Sequence, residues 1–147
     1  EFYGEPGIGT SALLRQVSHI PDLPYADGVV YLHARTQPVA DLLQALFEVF
    51  YETDIPYKPS NIEIRHVLQQ HQPLVLLDDN GLSQVEVEEL LNSLPNFGFL
   101  LASSDRSLWA MGHAIWVSGL PLAEGQLLIE QEWGRSLTPA EQQSAQT

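Results

Sequence analysis

The sequence predicts an α/β domain of three layers, in which a parallel sheet of about five strands lies between helices on both faces. Short, continuous apolar runs alternate along the chain with segments of helical periodicity. Uniformly apolar strands are typical of a parallel sheet that is covered on both faces. Glycine-rich or acidic segments directly follow several of these runs. Because ligands bind at the carboxyl ends of parallel strands, we expect a binding cleft at that edge.

Five apolar runs predict the strands. In chain order they are the run that ends at Tyr3 and the runs over 29–32, 74–79, 99–102 and 115–117. The Asp27-Gly28 turn precedes the second run and Pro73 opens the third, so turn chemistry marks the strand starts. The first run is short for a buried strand. We therefore expect the chain to be a piece of a longer protein.

Helical periodicity and start signals predict the remaining elements. Helices are expected over about 11–17, over 38–52, after Ser60, after Ser83, over 122–133 and from Thr138. Ser60 with Glu63 and Ser83 with Glu86 have capping-box spacing, in which the serine hydroxyl and the glutamate carboxylate satisfy free N–H groups. Gly134 closes the fifth helix. We predict a sheet domain over 1–134 and the start of a following helical segment over 135–147.

Charge and composition exclude several classes of partner. The chain has 147 residues, with six Lys and Arg against nineteen Asp and Glu, and a formal net charge of −13. Such an acidic surface repels nucleic acid, so we expect no nucleic-acid partner. The sequence has no apolar run of transmembrane length and no visible signal peptide, which predicts a cytoplasmic protein without a membrane partner. The absence of cysteine excludes disulfides and thiolate metal sites.

A glycine-rich segment follows the first predicted strand. Residues 4–11 have the spacing of a phosphate-binding P-loop, G-x-x-x-x-G-K-[ST]. The candidate ligand-binding residues are Gly4, Glu5, Pro6, Gly7, Ile8, Gly9, Thr10 and Ser11. Glycine permits close approach of the backbone to phosphate, and the Ser11 hydroxyl is a suitable Mg²⁺ ligand. Thr10 stands where the motif has lysine, so the mobile positive charge is missing.

Two further polar segments occur at predicted strand ends. Asp78 and Asp79 end the third strand, and residues 103–106 follow the fourth. Because the carboxyl ends of parallel strands share one edge of a sheet, these segments and the P-loop are expected to meet at one nucleotide cleft. This order of elements predicts the fold of the P-loop nucleotidases.

With these motifs the chain resembles the NB-ARC, or AP-ATPase, branch of the STAND nucleotidases. The resemblance is carried by GEPGIGTSALLR, by VVYLHA with the helix DLLQALFEVFYE, by PLVLLDDN and by FLLASSDR. The segment VSGLPLAEGQLLIEQEWGR resembles the linker into the small helical domain of that family. The resemblance implies adjacent third and fourth strands. It also implies that ATP or ADP binds together with Mg²⁺.

The same resemblance implies roles for individual residues. The N–H groups of residues 7–11 would cradle the β-phosphate. Ser11 would ligate Mg²⁺, and Asp78 would hold the ion through water. Asp79 would position or activate the attacking water, and Arg106 would sense the γ-phosphate.

The threonine at position 10 lowers the expected affinity and rate. A charge-assisted contact to phosphate contributes roughly 1.5 to 3 kcal/mol, so its loss weakens nucleotide binding by about 10-fold to 100-fold. Loss of one preorganised donor slows phosphoryl transfer by a factor on the order of 10² to 10³. Arg15 and Arg35 are alternative cations, but the sequence positions neither of them, and Lys58 lies too far along the chain to be placed at the site.

Three functions remain open at this level. The first is a degenerate STAND nucleotide-binding domain that is a regulatory or interaction module of a larger signalling protein. Its partners would be other domains of that protein, separate proteins or a second copy of the chain. The second function is an ATPase switch with a substitute cation. The third is a scaffold in which the P-loop is a plain turn.

The remaining candidate side chains give weaker signals. The five histidines have no metal-ligand spacing. Trp109, Trp116 and Trp133 are predicted to lie in the core or at a domain interface, because large aromatic side chains supply much of the apolar area that proteins bury.

Overall fold

The chain folds into two compact units, Glu1–Val117 and Ser118–Thr147. A computed structural model describes residues 1–34, 37–52, 59–78 and 81–144. The first unit contains the strands and four helices, and the second contains two helices, within these ranges.

The strands of the first unit form a parallel sheet. In the described residues they are β1 (Phe2–Tyr3), β2 (Val29–His33), β3 (Leu74–Asp78), β4 (Gly98–Ser103) and β5 (Ile115–Trp116). Their order across the sheet is β2-β3-β4-β1-β5, and every pair is parallel. The predicted α/β fold with a five-stranded parallel sheet is confirmed. The third and fourth strands are adjacent, as the resemblance implied.

The helices of the first unit begin close to their predicted starts. They are α1 (Thr10–Ser18), α2 (Val39–Phe50), α3 (Asn61–Leu68) and α4 (Gln84–Ser93). Both predicted capping boxes are present, at the starts of α3 and α4. The helix α2 is shorter than the predicted 38–52, because Pro38 and Tyr51 have extended backbone and flank it as caps. The strand β3 ends at Asp78. Asp79 lies outside the described residues.

Two apolar clusters cover the two faces of the sheet. Successive residues of a strand point to opposite faces. Accordingly, Val75 and Leu77 of β3 pack in a cluster with α2, α3 and α4, whereas Leu74 and Leu76 pack with Leu14 of α1. Full burial of one such leucine stabilises the fold by roughly 1.5 to 3 kcal/mol. The three layers are therefore α1, the sheet, and the group α2 to α4.

The second unit consists of α5 (Leu122–Trp133) and α6 (Pro139–Ser144). Gly134 ends α5 in a left-handed conformation, as predicted. Among its described residues, α5 has no buried residue. The compact units divide after Val117, and the predicted domain boundary at residue 134 stays a prediction. None of the described helices has both the length and the apolar character needed to span a membrane.

The tryptophans lie at the surface. Trp109, Trp116 and Trp133 keep 62%, 53% and 57% of their surface exposed, so the prediction of a core position is wrong. The rings of Trp116 and Tyr3 pack edge to face, with 5.3 Å between their centres. The Arg106 guanidinium carbon lies 4.4 Å from the centre of the Trp109 ring. Such partial contacts suit indole rings, which combine a large apolar surface with a polar N–H group. A role at a domain interface stays a prediction.

Candidate functional site

One cavity lies at the carboxyl ends of the central strands, with a volume of about 500 Å³. The P-loop residues that line it are Gly4, Pro6, Gly7, Thr10 and Ser11. The other lining residues, from segments at or just after the ends of β2, β3 and β4, are His33, Asp78, Gly81, Ala102, Ser103 and Ser104. The P-loop, Asp78 and the segment after β4, which the sequence assigned to one cleft, therefore lie around one space.

The P-loop runs directly into α1. Ile8 N–H donates to the Glu5 carbonyl at 3.0 Å, and Gly9 precedes the helix with a left-handed φ of 111°, which favours glycine. Among the described residues α1 has neither a side-chain cap nor an acidic side chain in its first turn, unlike α3 and α4. The first N–H groups of a helix have no acceptor within it. They and the helix dipole are therefore available to attract an anion.

Ser11 and Asp78 are in direct contact. The Ser11 hydroxyl donates a hydrogen bond of 2.6 Å to Asp78 Oδ1, and Asp78 is only 2% exposed. Mg²⁺ binds oxygen ligands, usually through one or two protein groups, substrate phosphates and retained waters. Ser11 and Asp78 supply oxygen atoms of the kind that this ion prefers, and their roles as magnesium ligands stay predictions. The last residue of the P-loop segment, Ser11, thus lies in contact with Asp78, the other residue predicted to bind magnesium.

The strand β2 adds two polar side chains that sequence reasoning missed. Tyr31 Oη donates to Asp78 Oδ2 at 2.5 Å, and His33 Nδ1 lies 3.6 Å from the same oxygen. Residues two apart on a strand share a face, and His33 is paired in register with Asp78. This alternation at the carboxyl end of β2 was the available signal. The apolar run over 29–32, taken as a whole, does not reveal this alternation.

The hydroxyl of Tyr31 is held in its protonated form. Burial raises its pKa, and the Asp78 carboxylate raises it further by accepting the hydrogen bond and by its negative charge. The Arg15 guanidinium acts in the opposite direction but does not outweigh these effects. Tyr31 therefore donates to Asp78 at neutral pH.

The described lining of the cavity has little positive charge. No lysine or arginine is among its described lining residues, and Thr10 lines it where the motif has lysine. His33, whose side chain is 49% exposed, is the titratable basic group in this described lining. Arg15 lies near Tyr31, whereas Arg35 and Lys58 fall outside the described residues. Attraction of phosphate would thus depend on backbone N–H groups, a bound cation and protonated His33.

Arg106 lies at a neighbouring cavity of about 290 Å³, which shares Gly81 and Ser104 with the P-loop cavity. Its Nε donates to the Leu108 carbonyl at 2.9 Å, and its guanidinium packs on Trp109. The structure therefore places Arg106 next to the P-loop cavity and not in its lining. Its role as a γ-phosphate sensor stays a prediction, as does the role of Asp79.

Hydrogen bonds to a buried carboxylate hold the segment after β4 in place. Glu1 is 6% exposed and accepts hydrogen bonds from Ser103 Oγ at 2.8 Å, from Leu108 N–H at 3.0 Å, and from both the N–H and the hydroxyl of Ser107. Burial alone raises the pKa of this carboxyl, but the hydrogen bonds from Ser107, Leu108 and Ser103 together hold it below its ordinary value. Glu1 thereby holds Ser103, which lines the cavity. Sequence reasoning assigned it no role.

Comparison with known proteins adds no family assignment. The chain matches no model of a known protein family and no curated protein. The resemblance to the NB-ARC family is therefore a prediction that rests on the motifs. The interpretation of the site rests on its geometry.

Proposed function

We propose that the chain is a degenerate P-loop domain of the NB-ARC type that binds Mg-ADP or Mg-ATP weakly and hydrolyses ATP little. We further propose that it is a regulatory or interaction module of a larger signalling protein. The observation that carries the binding proposal is the hydrogen bond of 2.6 Å between Ser11 and Asp78 beside the uncapped start of α1. At this place, oxygen atoms that could bind a cation lie next to N–H groups that could bind a phosphate.

Weak binding and slow hydrolysis follow from the charges around the cavity. Thr10 can donate one neutral hydrogen bond, which is worth less than the charge-assisted bond of a lysine. The described lining contains the Asp78 carboxylate and no permanent cation. A nucleotide would therefore bring most of its compensating charge as Mg²⁺. During phosphoryl transfer the developing negative charge would lack one of its usual preorganised donors.

An ATPase switch with a substitute cation is the alternative. Its supporting observation is His33, which lines the cavity 3.6 Å from the Asp78 carboxylate. Protonated histidine would return one positive charge to the site. Measurable release of inorganic phosphate from ATP by the unmodified chain would favour this alternative.

The binding proposal is tested by thermal-shift titration with Mg-ADP and Mg-ATP. We expect millimolar nucleotide to raise the melting temperature of the unmodified chain. Thr10→Lys should tighten binding by about 10-fold to 100-fold, because it returns the charge-assisted phosphate contact. A ligand present at 100 times its dissociation constant stabilises a protein by about 2.7 kcal/mol, which such a titration readily detects.

Two serines of α1 supply a matched control. Ser11→Ala should weaken nucleotide binding and reduce its dependence on Mg²⁺. Ser18→Ala should change neither, because Ser18 Oγ donates to the Arg15 carbonyl at the exposed end of the helix. If saturating nucleotide leaves both the unmodified chain and Thr10→Lys unchanged, the P-loop is a plain turn and the proposal is wrong.

A further inference from the structure

The second unit carries a groove of about 600 Å³ that is lined by α5 and α6. On α5, residues 128 and 129 lie one helical turn before 132 and 133, and all four line the groove. On α6, residues 140, 141 and 144 share one side in the same way. The apolar side chains of this described lining are Leu128, Ile129, Trp133, Leu137 and Ala140. Two helices thus present apolar stripes to one groove.

Much of this apolar surface is exposed. Leu128 keeps 49% and Trp133 57% of its surface exposed, and α5 buries none of its described residues. Exposed apolar groups that lie together and are rimmed by polar residues mark sites of protein interaction. A partner that covered the groove would give these side chains the burial that they do not obtain from the unit itself.

The charge at the groove indicates the kind of partner. Residues 118–147 contain Arg135 and four glutamates. Glu141 pairs with Arg135 at 2.8 Å, and Glu130 accepts from Leu137 N–H at 2.8 Å. Glu132 lines the groove and has no hydrogen bond or ion pair with another described residue. Its carboxylate is therefore available to a cation on a partner.

This charge disfavours several occupants of an apolar groove. A second copy of the chain would bring the same net charge of −13, and like charges oppose association. Nucleic acid and anionic lipid surfaces are repelled for the same reason. A basic amphipathic helix combines the two required features, because its apolar face fills a groove and its Lys or Arg side chains meet carboxylates at the edge.

We propose that the groove of the second unit binds a basic amphipathic helix of a protein partner, with Glu132 facing a Lys or Arg of that helix. The inference rests on the interaction role in the proposed function and names a surface for it. It does not rest on nucleotide binding, because the described lining of the groove contains no P-loop residue.

The test is fluorescence anisotropy of a labelled helical peptide that is titrated with the whole chain in the absence of nucleotide. The peptide has leucine at every third or fourth position and lysine at the others, and a second peptide has glutamate in place of lysine. The lysine peptide should bind with a dissociation constant on the order of 10 to 100 μM, as suits a small and transient interface. The glutamate peptide should bind at least about tenfold more weakly. Absence of binding, or equal binding of both peptides, overturns the proposal.

Two adjacent leucines of α5 supply the matched control for the groove. Leu128→Gln should weaken binding of the lysine peptide by about threefold to tenfold, because it removes part of the apolar lining. Leu127 is 64% exposed and lies outside this lining, so Leu127→Gln should leave the affinity unchanged. Equal effects of the two substitutions would show that the peptide does not bind in the groove.

Two glutamates supply the control for charge. Glu132→Lys should weaken binding of the lysine peptide by about fivefold to tenfold, because it places like charges together. Glu88→Lys, on α4 of the first unit, changes the net charge equally and should change the affinity by less than about twofold. This pair decides the matter if Leu128→Gln does not fold. Equal weakening by both would mean that the peptide responds only to net charge, which overturns the proposal.

Sedimentation velocity of the whole chain tests for a second copy in the groove. We expect a monomer. A dimer that Leu128→Gln dissociates and Leu127→Gln does not would show that a second copy fills the groove, and would overturn the proposal. Failure of the two proposals is distinguishable. Peptide binding without any nucleotide effect on the melting temperature contradicts only the nucleotide part of the proposed function, whereas nucleotide binding without peptide binding overturns only this inference.

Discussion

Two buried carboxylates, Asp78 and Glu1, hold the loops at the carboxyl edge of the sheet. Asp78 accepts from the Ser11 and Tyr31 hydroxyls, and Glu1 accepts from Ser103 and from the segment around Ser107. A hydrogen bond to a charged group contributes about 1.5 to 3 kcal/mol, and a buried carboxylate that lost its donors would be strongly unfavourable. These two residues therefore determine how the P-loop, β2, β3 and the segment after β4 meet.

Glu1→Gln should destabilise the fold by about 1.5 to 3 kcal/mol at pH 7, because the amide nitrogen would face the donors that the carboxylate now accepts from. The pKa of Glu1 lies below its ordinary 4.5 in the folded protein. Its contribution is thus complete above pH 4.5 and is lost as the pH falls through the lower folded value. Urea unfolding of both forms should show a difference at pH 7 that shrinks below pH 4.5. A difference that stays constant down to pH 3 would contradict this account.

The structure requires glycine at position 4 for a reason other than the one that the sequence suggests. The sequence suggests that this glycine serves close approach of the backbone to phosphate. In the structure, a Cβ at Gly4 would lie 2.7 Å from the Val117 carbonyl oxygen, which belongs to the backbone next to β5. Because that backbone also bonds to β1 through Val117 N–H and the Tyr3 carbonyl at 2.8 Å, it cannot easily yield. Packing of the sheet alone therefore requires glycine here.

At the scale of elements, the starts of the helices differ in a way that matters for the site. The helices α3 and α4 begin with complete capping boxes, whereas α1 begins with Gly9 and no side-chain cap among the described residues. A cap satisfies N–H groups that would otherwise need water or a ligand. The described side chains thus cap the starts of α3 and α4. They leave the starts of α1, beside the cavity, and of α2 and α5 without a side-chain cap.

Ser83→Ala should lower the free energy of unfolding by about 1 kcal/mol, because it removes the hydroxyl that accepts from Glu86 N–H. Gln84→Ala on the same helix removes only an exposed bond of 2.8 Å to Glu88, and should cost about 0.2 to 0.5 kcal/mol. Chemical denaturation of the two variants measures the difference. Equal losses would show that the cap adds nothing beyond an ordinary surface contact.

At the scale of the whole molecule, the dominant feature is the net charge of −13. The Lys or Arg ion pairs between described residues are Arg65 with Glu89 and Arg135 with Glu141. Both are largely exposed, and exposed pairs contribute about 0 to 1 kcal/mol. Repulsion among the remaining carboxylates therefore opposes folding and is not offset by these pairs.

Salt should stabilise this chain. Raising NaCl from about 10 mM to about 150 mM shortens the screening length from about 30 Å to about 8 Å, which weakens the repulsion between carboxylates. The melting temperature measured by differential scanning calorimetry should rise. Tetramethylammonium chloride at the same ionic strength should have the same effect, because screening does not depend on the cation. A melting temperature that falls with salt would mean that attractive pairs dominate.

The elements were predictable because their signals are local. Capping boxes at Ser60 and Ser83 join residues three apart, and the apolar character of β3 is contained in four consecutive residues, 74–77. The P-loop likewise lies within residues 4–11. Helical period, strand composition and cap chemistry act over one or two turns of chain, so a sequence carries them without knowledge of the fold.

The site contacts instead depend on how distant segments pair. Tyr31 meets Asp78 across 47 residues, and Glu1 meets Ser107 across 106. Strand order and register bring these groups together, and a slip of one residue would turn each strand side chain to the other face of the sheet. Local patterns thus suffice for the layered α/β fold and for the P-loop spacing of residues 4–11, with threonine at the lysine position. The contact between Tyr31 and Asp78 emerges from the pairing of β2 with β3.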